Sequence, residues 1–243
     1  MKLIQADWPA PANVHALVTT RQGGVSEAPY ESLNLGDHVG DEVTRVQENR
    51  LRLKQQLGLS QPAQWLSQVH GTVCVEAQPN KRVLEADACW SDQPGQACVV
   101  MTADCLPVFF TDRQGSKVAV AHAGWRGLAD GVLEKTLQQF SDPSQVLCWL
   151  GPAIGPQAFE VGGEVRSRFC DLLPESAQAF ILADAEQDKW LADIYQLATL
   201  RLRAAGVANI TGGAYCTYRQ YELFFSYRRE AVTGRMASVI WLS

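Results

Sequence analysis

Three short apolar runs follow one another in the middle of the chain with little between them. They are Ala97 to Thr102, Leu106 to Thr111 and Lys117 to Ala123. The breaks are Ala103-Asp104-Cys105 and the polar stretch Arg113 to Ser116. Runs of this length suit strands better than helices, and their continuous apolarity predicts burial on both faces. A polar break as short as Arg113 to Ser116 leaves no room for a helical crossover. It predicts a hairpin-like turn and hence some antiparallel pairing. Val146 to Leu150 reads as a further buried strand.

Buried sheets need helices to cover them, and the rest of the chain supplies candidates. Asp41 is placed to cap a helix running to about Leu57. There Val43, Val46, Leu53 and Leu57 recur at helical spacing and Gly58 supplies the stop. A second helix is expected from Leu128 to Phe140, a third from Gly162 or Gly163 to Leu172, and a fourth from Trp190 to Ala205. Val14 to Arg21 reads as a strand ending in the Gly23-Gly24 turn. Gln64 to Ala77 reads as a strand or hairpin with Gly71 as a bulge. Glu222 to Tyr227 and Met236 to Trp241 read as strands in the tail. Strands and helices are mixed without strict βαβ alternation. The expected fold is therefore α+β, with mixed, partly antiparallel sheets flanked by helices. At 243 residues and with no linker-like tract, residues 1–243 are expected to form a single domain.

Composition removes several function classes. Apolar residues make up 47% and charged residues 19%, which excludes a disordered chain. With 21 basic against 26 acidic residues, general binding to a nucleic-acid backbone is not expected. No apolar stretch approaches the ~20 residues of a membrane span. The N-terminal MKLIQADWPAPANVH is too broken by Asp7, Pro9 and Pro11 for a secretory signal, so a cytoplasmic location is expected. The seven cysteines show no CxxC spacing, so most are expected to be buried apolar groups, with one left for chemistry. The two common nucleotide-binding glycine fingerprints are absent.

The chain has four histidines, His15, His38, His70 and His122. His70 ends an apolar stretch beside Gly71. Alternation puts His122 on the face of Val118 and Val120, at the end of a strand that meets the glycine-bearing turn Gly124 to Gly127. Cys105 sits in the break between two apolar runs. Two imidazoles and a thiolate would make three ligands with one open position, the usual pattern of a catalytic zinc site. The residues leave two other readings open: a buried Cys with two satisfied core histidines, or a Cys105 nucleophile with His122 as its base. Arg21, beside two glycines, suits an anion, or is an ordinary solvated strand exit. Asp104 could move a proton or form a turn. Arg126 lies near a helix start that favours anions, so it hints at a ligand or is simply solvated. Phe224 to Arg229 mixes aromatic and basic residues, which suits either stacking on a planar base or an exposed sheet edge.

Five segments together resemble the laccase-domain (YfiH-like) family. They are Thr20 to Ser26, Ser32 to Gly36, Ser67 to Gly71, Thr102 to Val108 and Ala121 to Gly127, and the tail Phe225 to Arg229 with Thr233 to Arg235 fits as well. The resemblance implies a zinc site made by His70, Cys105 and His122, with copper as the metal first assigned to such proteins. It implies phosphorolysis of adenosine, inosine and methylthioadenosine, and deamination of adenosine. The partners would be purine nucleosides and phosphate. On this reading Arg21 and Arg126 would bind substrate, while Asp104 would aid proton transfer beside Cys105 and His122. The alternatives are a Cys-His hydrolase or amidase acting on peptidoglycan precursors, a copper-dependent polyphenol oxidase, and a binding module with a structural zinc. Four histidines are too few for a multi-copper cluster.

Overall fold

The computed structural model describes residues 1–80 and 82–243. In chain order the elements begin with β1 (Leu3–Gln5), β2 (Val14–Thr19), α1 (Val43–Leu57), β3 (Leu66–Ser67), β4 (Cys74–Glu76), β5 (Leu84–Glu85) and β6 (Ala88–Ser91). The centre holds β7 (Cys98–Thr102), β8 (Leu106–Asp112), β9 (Val118–Ala123), α2 (Trp125–Asp130), α3 (Val132–Leu137) and β10 (Val146–Leu150). The last part holds β11 (Glu160–Gly162), α4 (Gly163–Leu172), β12 (Phe180–Asp184), β13 (Lys189–Ala192), α5 (Ile194–Ala204), β14 (Asn209–Gly212) and β15 (Met236–Leu242). The fold is α+β with mixed sheets. A six-stranded sheet runs β14-β10-β8-β9-β6-β4, and a four-stranded sheet runs β1-β2-β15-β7.

Side-chain alternation along these strands builds the layers. Leu106, Val108 and Phe110 of β8 share one core with Leu128, Leu133 and Leu197 of the helices. Phe109 between them points the other way, with Val118 and Val120, onto Val18, Val100 and Ile240 of the four-stranded sheet. The far face of that sheet, Leu17, Val99 and Val239, packs on Leu53 of α1. The order is helices, sheet, sheet, helix. A strand in the middle of such a stack is apolar throughout because both its faces are covered. Phe109 and Phe110 are fully buried, and each stabilises the fold by roughly 1.5–3 kcal/mol relative to exposure.

The central runs form strands as their sequence predicts, and β8 and β9 pair antiparallel across the Arg113 to Ser116 turn. Several other expectations are corrected. Asp41 does not cap α1. Its carboxylate accepts from Ser26 Oγ and Asn34 Nδ2 instead, leaving Glu42 at the cap position. Gln64 to Ala77 is not a hairpin: β3 pairs with β5 and β4 with β6, both parallel and in different sheets. The Leu128 to Phe140 helix starts earlier, at Trp125, and is cut in two at Gly131, whose φ of 100° suits glycine. Trp190 belongs to β13, and α5 begins only after Asp193, which caps it by accepting from Gln196 N. Glu222 to Tyr227 is not a strand, because its polar groups are satisfied otherwise. The Arg229 guanidinium donates to the carbonyls of Thr217, Tyr218 and Phe224, and Phe224 N bonds back to Gln220 O.

Candidate metal centre

Strand register brings the candidate ligands together. In the β8–β9 pair Leu106 faces Ala123 and Pro107 faces His122, so Cys105, one step before β8, meets the end of β9. The β6–β9 pair sets Ala88 against Ala121, which puts Asp87 opposite His122, whose N–H donates to Asp87 O at 2.7 Å. His70 comes from the loop between β3 and β4. It stands in the left-handed region at φ 60°, which is sparsely populated for non-glycine residues.

The donor atoms of His70, Cys105 and His122 all lie within 4.8 Å of one another. Cys105 Sγ is 3.8 Å from His70 Nε2, and the two imidazole rings stand edge to face with centroids 4.7 Å apart. A tetrahedral zinc with ordinary Zn–S and Zn–N bonds holds sulfur and nitrogen donors about 3.6 Å apart. The donor set and its spacing therefore fit one such ion. The space beside it is kept open by Gly124, where a Cβ would come within 2.7 Å of His70 Cδ2 and 3.1 Å of Cys105 Sγ. Among the described residues this is the one group of three or more potential ligands, and it offers no fourth protein donor.

Electrostatics link the same residues. Burial acts to raise the pKa of the Cys105 thiol, but the adjacent His122 and His70 outweigh it and bring it down to about 6. Burial acts to lower that of His122, but the Cys105 thiolate and the Asp87 carboxylate raise it to about 9. Both shifts favour a thiolate beside an imidazolium. His122 Nδ1 lies 2.8 Å from Asp87 Oδ1 in a buried contact. Burial pushes the Asp87 carboxyl up, yet its bonds to His122 and to the backbone of Gly71 and Val69 hold it below the usual carboxylate range.

Cys105 also lines a cleft of about 120 Å³, walled by Trp125, Ile154, Phe159, Ile194 and Tyr227. The Phe224 to Arg229 segment thus enters the site as a loop. Asp104 holds it there: Oδ1 accepts from Thr217 Oγ1 at 2.6 Å, and Oδ2 from Ser226 Oγ at 3.0 Å and Arg228 N at 2.7 Å. Both oxygens of Asp104 are therefore engaged. Arg126 is exposed beside the cleft, its guanidinium 4.6 Å over the Trp125 ring. Arg21 is not on the cleft. It stacks on Phe225, bonds the carbonyls of Glu31 and Tyr221, and pairs with Glu230 at 3.6 Å.

Two residues that sequence reading passed over belong to this site. Asp87 is fully buried. Its signal was a lone carboxylate among small apolar residues in Ala86-Asp87-Ala88-Cys89. Arg235 is the second. It is half-buried; burial lowers its pKa, and the charges of Cys105 and Asp104 oppose that. Among the described residues only its Nη1 donates a side-chain hydrogen bond, to Thr233 O and Gly234 O. Arg50 lies close by, donating to Leu35 O while Leu35 N donates to Arg235 O, and burial, Arg235 and Arg50 lower the His38 pKa against the opposing Asp37.

Residues 15–243 match the model of the family described as multi-copper polyphenol oxidoreductase laccase. A protein of Pseudomonas aeruginosa called purine nucleoside phosphorylase is 56% identical over 97% of this chain and 96% of its own length. The purine nucleoside phosphorylase YfiH of Escherichia coli is 55% identical over 99% of each chain. The crystal structure of a Neisseria meningitidis protein superposes over 100% of both chains with a TM-score of 0.96 at 51% identity.

Proposed function

We propose a function from the premise that this chain belongs to the multi-copper polyphenol oxidoreductase laccase family: it is a zinc-dependent purine nucleoside phosphorylase that also deaminates adenosine. The observation that carries the reading is a His-Cys-His donor set beside an aromatic-walled cleft with a half-buried cation at hand. The relatives' names support the phosphorolysis. The whole chain serves as one domain, with adenosine, inosine and methylthioadenosine as substrates alongside phosphate.

His70, Cys105 and His122 would hold the zinc. When bound, it supplies a Lewis acid able to polarise an oxygen or to make water a nucleophile near neutral pH. In phosphorolysis a phosphate oxygen bonds to C1′ of the ribose while the bond from C1′ to the purine nitrogen breaks. The base leaves with the electron pair and takes up a proton. Trp125, Phe159 and Tyr227 offer flat faces to a purine. The phosphate needs cations with spare donors, and Arg235 meets that need. Arg21, which the sequence offered as an anion-binding residue, is occupied by Glu230 and two carbonyls. Arg126 takes the rim of the cleft as a substrate contact. Asp104 acts as a positioning residue, keeping Tyr227 and Arg228 beside Cys105, rather than as a proton carrier.

One observation favours a second reading. Cys105, His122 and Asp87 are ordered as nucleophile, base and orienting carboxylate, with the thiol pKa brought low. That arrangement suits a Cys-His hydrolase of the kind that would edit peptidoglycan precursors. A copper polyphenol oxidase is less well supported, because the described residues hold one three-donor group and not a cluster of several.

The test is incubation of purified chain with adenosine, with and without phosphate, followed by separation of adenine, inosine and hypoxanthine. Phosphate-dependent adenine supports phosphorolysis, and phosphate-independent inosine supports deamination. Neither product, with peptidoglycan-precursor cleavage that persists in a chelator and stops on alkylation of Cys105, refutes the reading in favour of the hydrolase.

A further inference from the structure

Asp87 bonds to both histidines of the metal site without being one of the candidate ligands. Its side chain is wholly buried, and each of its oxygens accepts two bonds. Oδ1 takes His70 N at 3.0 Å and His122 Nδ1 at 2.8 Å. Oδ2 takes Val69 N at 3.2 Å and Gly71 N at 2.6 Å. One carboxylate therefore grips two of the three donor residues, which reach the site from a loop and from a strand 52 residues apart in sequence.

Each half of that grip has a physical purpose. His122 Nδ1 meets a carboxylate at this distance by carrying a proton, so the proton that a metal displaces is the one on Nε2, which leaves that nitrogen as the ring's free lone pair. On the other half, three successive N–H groups converge on the carboxylate, and they hold His70 at φ 60°. A non-glycine residue stays in that region only when its surroundings over-determine it. We infer that Asp87 is the positioning residue of the metal centre, fixing the tautomer of His122 and the strained turn of His70 so that both rings present a nitrogen beside Cys105. The inference rests on the metal-binding reading of the His-Cys-His set. It adds a residue that never touches the ion.

The bonding pattern also says why no other side chain serves. All four partners are donors, so both terminal atoms must be acceptors. Asparagine would set an NH₂ against two N–H groups whichever way it is turned. Glutamate is one methylene longer in a site with no free surface.

The experiment uses the full chain, stripped by a chelator and titrated with zinc in competition with a chromogenic indicator. Asp87→Ala and Asp87→Asn are each expected to bind zinc about 10- to 100-fold more weakly, the usual loss when an orienting partner of a metal-bound His is removed. Thermal unfolding of the stripped proteins separates this from general damage. A remote core variant, Phe169→Leu, should lower the melting temperature yet keep wild-type zinc affinity. Equal zinc affinity in wild type and Asp87→Ala overturns the inference alone. A wild-type chain that takes up no zinc overturns the metal reading and the inference with it. If neither Asp87 variant folds, the wild type decides: long-range ¹H–¹⁵N spectra of the zinc-loaded protein should show the His122 proton on Nδ1. A proton on Nε2 would refute the assignment.

Discussion

Gly124→Ala places one methyl group where the metal site has no room for it. The backbone does not object, since Gly124 has φ −61° and ψ 154°, which alanine adopts freely. The obstacle lies across the site. The new Cβ would be 2.7 Å from His70 Cδ2, 3.1 Å from Cys105 Sγ and 3.4 Å from His70 Nε2. Carbon–carbon contact relaxes at about 3.5 Å, so the His70 ring must withdraw by about 0.8 Å. Ligand distances tolerate only about 0.2 Å. The His70 backbone cannot follow cheaply, because it and the flanking Val69 and Gly71 donate to Asp87. Displacing a ligand should cost at least as much as losing an orienting partner, so zinc affinity should fall by about 100-fold or more. Folding should suffer far less, by about 1–3 kcal/mol of overpacking. The assay is chelator competition beside thermal unfolding of the stripped chain. Wild-type zinc affinity in Gly124→Ala, with His70 and Cys105 unmoved in a crystal structure, would refute the argument.

Other outcomes test separate parts of the site. Cys105→Ala should take bound zinc from about one per chain to none by elemental analysis; retained stoichiometric zinc would remove Cys105 from the ligand set. Asp104→Ala strands two hydroxyls and the Arg228 N–H, and should cost more than about 2 kcal/mol in denaturant unfolding; a loss below 0.5 kcal/mol on the order-of-magnitude scale for surface changes would contradict that. Arg235→Ala should raise the KM for phosphate more than that for nucleoside, whereas Arg21→Ala should lower the melting temperature and leave the phosphate KM near wild type. The opposite pattern would return the phosphate to Arg21. Burial raises the Glu230 pKa, but Arg229 and Arg21 outweigh it and hold it below the usual value. A lowered carboxylate stabilises the fold fully above its unfolded pKa and loses that contribution as pH falls through the folded value. Glu230→Gln should thus flatten the acid side of the stability curve below about pH 4.5, and an unchanged curve would show the pairing with Arg229 and Arg21 to be idle.

The sequence by itself determined the central β-structure. Continuous apolarity in Leu106 to Thr111 and Lys117 to Ala123 favours strands covered on both faces, and the short polar turn between them favours antiparallel pairing, which is what forms. It also supplied the residue types of the metal set, since sulfur and imidazole nitrogen are what a borderline-soft ion takes. Tertiary structure decided the rest. His70 reaches Cys105 through a loop whose shape depends on Asp87, and nothing local to either residue encodes that meeting. Trp190 looked helical because a few apolar residues fit both periods, but pairing on both sides with β11 and β12 made it a strand. The aromatic-basic tail looked like a strand until Arg229 and Asp104 satisfied its polar groups from outside. Local propensity acts over a few residues, whereas a buried carboxylate gathers donors wherever the register delivers them. The position of this site was therefore fixed by strand register and by two buried aspartates, not by spacing along the chain.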